Sequence, residues 1–217
     1  MKATIASLIF LLLSLAVSSQ TYKYIGIEEG LSNQKIYKIQ KDARGYMWFL
    51  THVGIDRYNG KEIKHYKLKE GDRELDPLLN INWTYLDKTG TLLVTGKQGR
   101  IFRYDSGHDR FVQIYSMYNY WNKDYHAFVR YSYIDQESNV WLCGKSAIHL
   151  FNIESGQKQR ISNRLGNITC IEQINSEHFF IGTDKRIYLV KLENGNLKEL
   201  SCGKLGMMDM HVHELYL

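Results

Sequence analysis

A unit of about 45 residues recurs four times along this chain, and this repeat constrains the fold more than any other sequence feature. Each copy holds a polar turn with Asp or Asn, an apolar strand, a tight turn and a second strand rich in Tyr or Phe. One position in the first of these strands marks the copies: Trp48, Leu93, Trp141 and Phe180. Their separations of 45, 48 and 39 residues match a propeller blade and exceed the period of a leucine-rich repeat.

The repeat predicts an all-β fold: a β-propeller of about four four-stranded antiparallel blades plus the start of a fifth, in an incomplete ring. In a complete ring, residues 20–28 are expected to supply an outer strand that closes the last blade. The inner strand of each blade is expected to be buried on both faces. A closed ring of four blades is the alternative. The blades are expected at 33–68, 80–116, 126–161 and 166–201, with the next starting at 208–217.

Two of the turns share the pattern Asp-x-x-Gly, at Asp42 with Gly45 and at Asp87 with Gly90. The pattern predicts a hairpin in which the carboxylate accepts backbone N–H groups and the glycine takes a positive φ. In the third copy Asn139 stands near the glycine position, and Asn tolerates that conformation. The fixed place of these Asp residues in a turn favours a structural role over a pair of catalytic carboxylates.

The first nineteen residues differ from the rest, because a short positive start precedes an apolar run from Ile5 to Val17 and then small residues. This order is typical of a secretory signal peptide, which we assign to residues 1–19, with the partial propeller at 20–217. An uncleaved membrane anchor is the alternative, but the run is shorter than the roughly 20 residues that span a bilayer. The sequence therefore predicts a periplasmic or secreted protein.

Charge and motif content argue against several function classes. The chain has 28 basic and 23 acidic residues, and no run of five or more like charges indicates nucleic-acid binding. Nucleophile-elbow, zinc-protease and phosphate-loop motifs are absent from the sequence. The cysteines Cys143, Cys170 and Cys202 lack metal-binding spacing, and the first two lie in apolar runs typical of buried thiols, with one disulfide as the alternative. We expect no catalytic residues, no metal and no cofactor.

An aromatic segment, residues 115–126, interrupts the blade pattern between the second and third copies. Its flat rings suit sugar faces while Asn or Asp bonds hydroxyls, so it predicts a carbohydrate-binding surface, with packing on a neighbouring blade as the alternative. In a propeller this connection shares a face with the turns between the middle strands of the blades. Three lysines there would suit an anionic glycan, or form a solvated rim. The candidate ligand-binding residues are Tyr118, Tyr120, Trp121, His52, Lys97, Gln98, Lys145, Asp184 and Lys185.

The most faithful copy of the repeat lies between residues 30 and 60. It contains Gly-Leu-Ser-Asn at 30–33, the Asp42 turn, Trp48 and Gly-Ile-Asp-Arg-Tyr-Asn-Gly at 54–60. This stretch resembles the two-component-regulator propeller repeat of the periplasmic sensor region of Bacteroidetes hybrid two-component system histidine kinases. The family pattern has Leu in place of Ile55 and Asp in place of Asn59, and both changes are mild. Later copies extend the resemblance weakly to about residue 192.

The resemblance implies a receptor larger than this chain, with two seven-bladed propellers, an immunoglobulin-like domain, a membrane helix and a histidine kinase. It implies that the chain is a periplasmic ligand-sensing region, truncated before the membrane helix and kinase, and not itself an enzyme. The expected ligand is an oligosaccharide. Homodimer formation and membrane attachment are expected only through the rest of the receptor. The alternatives are a stand-alone exported interaction scaffold and a propeller hydrolase or lyase.

Overall fold

The computed structural model describes residues 22–117 and 128–204, with side chains through Ser201. Sixteen of its strands form four antiparallel four-stranded sheets, in which consecutive strands are hydrogen-bonded neighbours. The predicted all-β propeller fold with four four-stranded blades is thereby confirmed. The predicted start of a fifth blade at 208–217 lies outside the described residues.

The strands follow one another in chain order within each blade. Blade 1 contains β1 (Ile36–Lys41), β2 (Met47–Thr51), β3 (Ile55–Tyr58) and β4 (Ile63–Tyr66). A small hairpin and one helical turn follow, β5 (Lys69–Glu70), β6 (Arg73–Glu74) and α1 (Pro77–Asn80). Blade 2 contains β7 (Trp83–Leu86), β8 (Leu92–Thr95), β9 (Arg100–Asp105) and β10 (Arg110–Ser116). Blade 3 contains β11 (Tyr131–Ile134), β12 (Asn139–Cys143), β13 (Ala147–Asn152) and β14 (Lys158–Ser162). Blade 4 contains β15 (Ile168–Gln173), β16 (His178–Thr183), β17 (Arg186–Glu193) and β18 (Asn196–Lys204).

Each pair of neighbouring blades buries an apolar core of its own. The ring centroids of Trp48 and Tyr104 are 4.7 Å apart across blades 1 and 2, and those of Trp141 and Phe179 are 4.8 Å apart across blades 3 and 4. Full burial of one such side chain stabilises the fold by about 1.5–3 kcal/mol, so these seams hold the blades together. A third core joins blades 2 and 3, at Ile101, Tyr115, Met117, Val129, Val140, Leu142 and Phe151.

The inner strand β1 departs from the expectation that inner strands are buried on both faces. Tyr37 and Ile39 in this strand are 44% and 51% exposed. Ile39 pairs with Phe49, which neighbours Trp48 and therefore lies on the opposite face of the sheet from the seam with blade 2. No described blade covers that face, so β1 is packed from one side only.

Residues 22–28 form no strand in this structure, although the sequence predicts an outer strand at 20–28 in a complete ring. They run into a turn in which the backbone N–H of Gly30 donates to the carbonyl of Ile27 at 3.0 Å. A strand needs a neighbouring strand for its backbone hydrogen bonds, and none of the described strands pairs with this segment.

The segment 22–34, which we call the N-terminal strap, is instead held to blade 1 by Asp56. The Asp56 side chain is fully buried, and its Oδ2 accepts from the backbone N–H and the hydroxyl of Ser32 at 2.7 and 2.9 Å. His65 Nδ1 lies 2.8 Å from Oδ1 of the same carboxylate. Leu31, next to the serine, is 4% exposed. The Gly-Leu-Ser-Asn and Gly-Ile-Asp segments of the repeat therefore contact each other, through Ser32 of the first and Asp56 of the second.

The first Asp-x-x-Gly turn forms the predicted hydrogen bonds, and its carboxylate also holds a tryptophan. Asp42 Oδ1 accepts from the backbone N–H groups of Arg44 and Tyr46 at 2.9 and 3.0 Å. Its Oδ2 accepts the indole N–H of Trp48 at 2.8 Å, and Trp48 is fully buried. Gly45 has a φ of +87°, a conformation that suits glycine because it has no Cβ. One carboxylate thus stabilises the turn and orients the ring that fills the seam with blade 2.

Blade 3 repeats this arrangement with one correction to the sequence interpretation. Trp141 donates its indole N–H to Asp135 Oδ2 at 2.9 Å, and Asp135 Oδ1 accepts the backbone N–H of Asn139 at 2.7 Å. The residue with the positive φ is Ser138, at +67°, rather than Asn139. Asn139 already belongs to β12, so its backbone is extended.

Blades 2 and 4 have no tryptophan at the position of Trp48 and Trp141, so no indole N–H is donated there. In blade 2, Leu93 stands at the tryptophan position, and Arg103 pairs with the free oxygen of Asp87 at 2.7 Å. In blade 4, the equivalent Phe180 is half-buried, whereas its neighbour Phe179 is fully buried against blade 3. Phe180 therefore lies on the face of blade 4 that no described blade covers.

Cys143 and Cys170 are both buried, as their apolar surroundings predict. Burial raises the pKa of both thiols, so they stay protonated at neutral pH. The side chain of Cys202 lies outside the described residues.

The indole–carboxylate contact in blade 1 predicts a loss of stability on substitution. We expect Trp48→Phe to lower the free energy of unfolding by about 1–3 kcal/mol beyond a matched control, because a buried carboxylate oxygen loses its donor. The control is Trp83→Phe, at a half-buried position. Urea denaturation followed by circular dichroism measures both variants. An equal loss in the two would contradict the role assigned to the Asp42 carboxylate.

The contact between Ser32 and Asp56 predicts local opening on substitution. We expect Asp56→Ala to speed hydrogen exchange at the backbone N–H of Ser32 by at least about tenfold, since a hydrogen bond to a carboxylate is lost. Mass spectrometry of peptides from the strap measures this change. Asp72→Ala, in the exposed hairpin turn, is the control. Unchanged exchange in the strap of Asp56→Ala would show that other contacts hold it.

Candidate functional site

One end of the propeller carries the residues that the sequence predicts to bind a ligand. Because each blade is an antiparallel meander, the turn between its second and third strands lies at the same end as the connection to the next blade. We call this end the connecting-loop face. Tyr118, Tyr120 and Trp121 lie outside the described residues. The other six predicted residues lie in the turns of this face: His52, Lys97, Gln98, Lys145, Asp184 and Lys185.

Met117, within the aromatic segment, and Val129, after it, are both bonded to the turn between β8 and β9. The backbone N–H of Met117 donates to the carbonyl of Gly99 at 3.0 Å, and that of Val129 donates to the carbonyl of Lys97 at 2.8 Å. Gly99 has a φ of +67°, a conformation that suits glycine, and a Cβ there would displace the Met117 side chain, whose Sδ would lie 2.2 Å away. Met117 and Val129 therefore both lie beside the turn that carries Lys97 on the connecting-loop face.

A cavity of about 470 Å³ opens on this face between blades 3 and 4, and we call it the blade 3–4 cavity. Two middle turns and the connection from β14 to β15 form its walls. It brings together three of the predicted residues and adds others that the sequence did not single out. Its polar lining includes Lys145, Arg164, Asn167, Asp184, Lys185 and Arg186.

Asn163 ties the connection at 163–167 to blade 3. This residue is buried, and its side-chain amide donates to the carbonyls of Gly144 and Gly166, both at 2.9 Å. Its Oδ1 accepts the backbone N–H of Leu165 at 3.0 Å. These bonds join the connection to the turn that carries Lys145, so one wall of the cavity is preorganised.

A second set of hydrogen bonds forms the wall on the blade 4 side. The backbone N–H of Asp184 donates to the carbonyl of Asn167 at 3.2 Å, and the Asn167 amide donates to Asp184 Oδ2 at 3.3 Å. Thr183 Oγ1 accepts the backbone N–H groups of Lys185 and Arg186 at 3.3 and 3.0 Å. The turn therefore presents one carboxylate and two cationic residues in a fixed backbone conformation.

The structure does not bring the remaining predicted residues into this cavity. His52 lines a separate cavity of about 250 Å³ next to residues 74–78, and its Nδ1 lies 2.6 Å from the Tyr37 hydroxyl. The side-chain oxygen of Gln98 accepts from the guanidinium of Arg100. The backbone carbonyl of Lys97 accepts the N–H of Val129. The six described residues of the predicted set are therefore spread over the connecting-loop face, and only three of them share a cavity.

A cavity of about 640 Å³, which we call the rim cavity, is lined by residues 64–67, 69–72 and 109–113. It lies between the outer strands of blades 1 and 2, and the hairpin β5–β6 covers part of it. The sequence interpretation missed this cavity, because its lining residues are distant in sequence and belong to outer strands.

The rim cavity adjoins a dense network centred on Asp109. Its Oδ1 accepts from the hydroxyls of Tyr66 and Tyr104 at 2.6 and 2.5 Å and pairs with Arg57 at 2.9 Å, while Lys64 pairs with Oδ2. Burial opposes ionisation of Asp109, but the hydrogen bonds from Lys64, Tyr104 and Tyr66 outweigh it and hold the pKa well below its usual range. The carboxylate is thus saturated by contacts that tie blade 1 to blade 2.

Within residues 22–117 and 128–204, no group of three His, Cys, Asp or Glu residues is placed to hold a metal ion. None of the helices in this part of the chain is long and apolar enough to cross a membrane. The polar lining of the blade 3–4 cavity can bind a ligand through hydrogen bonds and charge.

Comparison with known proteins supports both the repeat and the fold. A family model described as two component regulator propeller matches residues 30–52. No curated protein sequence matches the chain significantly. One similar solved structure is named as the extracellular domain of a hybrid two component system, BT3049, from B. thetaiotaomicron, with a TM-score of 0.62 at 18% identity. The match covers 82% of this chain and 26% of that one.

Two further similar structures have other functions in their names. Dihydro-heme d1 dehydrogenase NirN has a TM-score of 0.59 at 12% identity, with 82% of this chain and 39% of that chain covered. PorZ, a surface component of the type-IX secretion system of Porphyromonas gingivalis, has a TM-score of 0.56 at 14% identity, with coverages of 82% and 24%. At these identities the likeness shows the fold alone, and function has to be argued from the site.

The family match coincides with the most faithful copy of the repeat. Residues 30–52 include Ser32 of the strap, the Asp42 turn and Trp48, whose contacts are described above. Residues 30–52 of this chain therefore match the two-component regulator propeller repeat, as their resemblance predicts.

Proposed function

We propose that this chain is the periplasmic ligand-sensing propeller region of a two-component signal-transduction receptor and that its ligand is an oligosaccharide. The observation that carries the proposal is the blade 3–4 cavity, whose two walls are preorganised by Asn163 and Asn167. The propeller repeat at 30–52 and the likeness to an extracellular domain named for a hybrid two-component system support it.

In this proposal the chain is the N-terminal part of a longer receptor, which supplies the membrane helix, the dimer contact and the kinase. The chain spans about a quarter of the extracellular structure that it resembles, which supports this assignment. A signal peptide at 1–19 would export the sensor. The chain itself carries out no reaction and transmits only the occupancy of its site.

The chemistry of the connecting-loop face suits a sugar. The amide of Asn167 and the carboxylate of Asp184 can bond neighbouring hydroxyls, while rings of the aromatic segment, Tyr118, Tyr120 and Trp121, can stack on a pyranose face. Met117 and Val129 are bonded to the β8–β9 turn of the same face. A ligand in contact with both regions would bridge blades 2, 3 and 4.

We expect a screen of plant and mucin oligosaccharides by thermal shift and calorimetry to identify a ligand for the purified chain. Asp184→Asn should weaken its binding at least about tenfold, because an amide cannot replace a carboxylate that accepts two hydroxyls. The matched control is Asp72→Asn, which changes the rim cavity and should bind as the parent does.

Three results would overturn this function. The first is a folded chain that binds no oligosaccharide in the screen. The second is loss of binding in Asp72→Asn with none in Asp184→Asn, which would place the ligand in the rim cavity. The third is cleavage of a bound oligosaccharide, detected by mass spectrometry, which would favour a propeller hydrolase or lyase.

A further inference from the structure

The blade 3–4 cavity differs from a neutral sugar site in its charge. Four cationic side chains line it, at Lys145, Arg164, Lys185 and Arg186, against the single carboxylate of Asp184. The four cationic residues are exposed to solvent, so they keep their charge without the cost of burying it. The cavity therefore has a positive electrostatic potential at neutral pH.

The other two cavities that we describe have a nearly balanced charge. Four Lys or Arg residues and three Asp or Glu residues line the rim cavity. Lys67 faces Glu74 and Asp76 in the cavity that contains His52. The excess at the blade 3–4 cavity is thus a local property, and it does not follow from the net charge of +5 on the whole chain.

Ion pairs with described residues do not neutralise this excess at three of the four positions. Lys145, Arg164 and Lys185 form no ion pair with a residue that the structure describes, whereas Asp184 is bonded to the neutral amide of Asn167 at 3.3 Å. The backbone that carries these residues is fixed by Asn163 and Thr183. Lys145, Arg164 and Lys185 therefore stand around one opening on a fixed backbone, and within residues 22–117 and 128–204 no carboxylate forms an ion pair with them.

We propose that the blade 3–4 cavity binds the anionic group of an acidic oligosaccharide, either the carboxylate of a uronic acid or a sulfate ester. This inference rests on the proposed function for its sugar component. The planar guanidinium of Arg164 can donate two parallel hydrogen bonds to either group, and the two lysines add point charges. Asp184 and Asn167 remain available for the hydroxyls of the same residue.

The test compares one saccharide with and without its charge. Calorimetry measures binding of tri-galacturonic acid and of its methyl ester to the purified chain at 50 mM and 500 mM NaCl. The acid should bind at least about tenfold more tightly than the ester, and its affinity should fall at the higher salt. Sodium sulfate, titrated separately and followed by amide shifts in NMR spectra, reports on anion binding without a sugar.

Variants locate the effect at the cavity. The double variant Lys145→Gln and Lys185→Gln should remove most of the preference for the acid and most of the sulfate response. The matched control carries Lys41→Gln and Lys61→Gln, two exposed residues of blade 1 with the same loss of charge. The control should behave as the parent chain does.

The outcomes separate this inference from the proposed function. Equal binding of acid and ester overturns the inference and leaves oligosaccharide sensing standing. A sulfate response that depends on Lys145 and Lys185, without binding of any saccharide, supports the anion site and overturns oligosaccharide sensing. If neither sulfate nor the acid binds, or if the blade 1 control loses as much as the cavity variant, the inference is wrong.

Discussion

The hydrogen bond from the Trp48 indole to the Asp42 carboxylate is the interaction on which the rest of this propeller depends. It links the turn of one blade to the ring that fills the seam with the next blade, so local hairpin geometry and packing between blades are set by one side chain. The same pair recurs as Trp141 and Asp135 between blades 3 and 4. Because these seams fix the angle between sheets, they also fix the distance between the turns that carry the candidate site.

The geometry of the candidate site depends on the distance between these turns. Its walls come from the middle turns of blades 3 and 4 and from the connection between them, which Asn163 and Asn167 hold by bonds to backbone and side-chain oxygens. Such preorganisation lowers the entropic cost of binding a ligand. The network around Asp109 at the rim has the opposite character, because its polar groups are already satisfied within the protein.

The sequence predicts the fold well because the repeat is local. The spacing of Trp48, Leu93, Trp141 and Phe180 indicates one blade per copy of the repeat. The hairpins of a blade form between strands that are close in sequence, so four blades can be recognised without knowledge of long-range contacts. The candidate site is predicted only in part. The turns that carry Lys145 and Lys185 follow from the meander, but Arg164 and Asn167 lie in a connection without a repeat pattern, and their place depends on the tertiary bonds of Asn163. The strand that the sequence predicts at 20–28 is absent at 22–28, because sequence cannot show which partner a segment pairs with.

The measurement that tests the account most directly is the map of backbone amide shifts in NMR spectra of the chain as an oligosaccharide ligand is added. The account predicts shifts concentrated at residues 144–146, 163–167 and 183–186, the turns and the connection that form the blade 3–4 cavity. Shifts concentrated instead at 64–72 and 109–113, around the rim cavity, would contradict it.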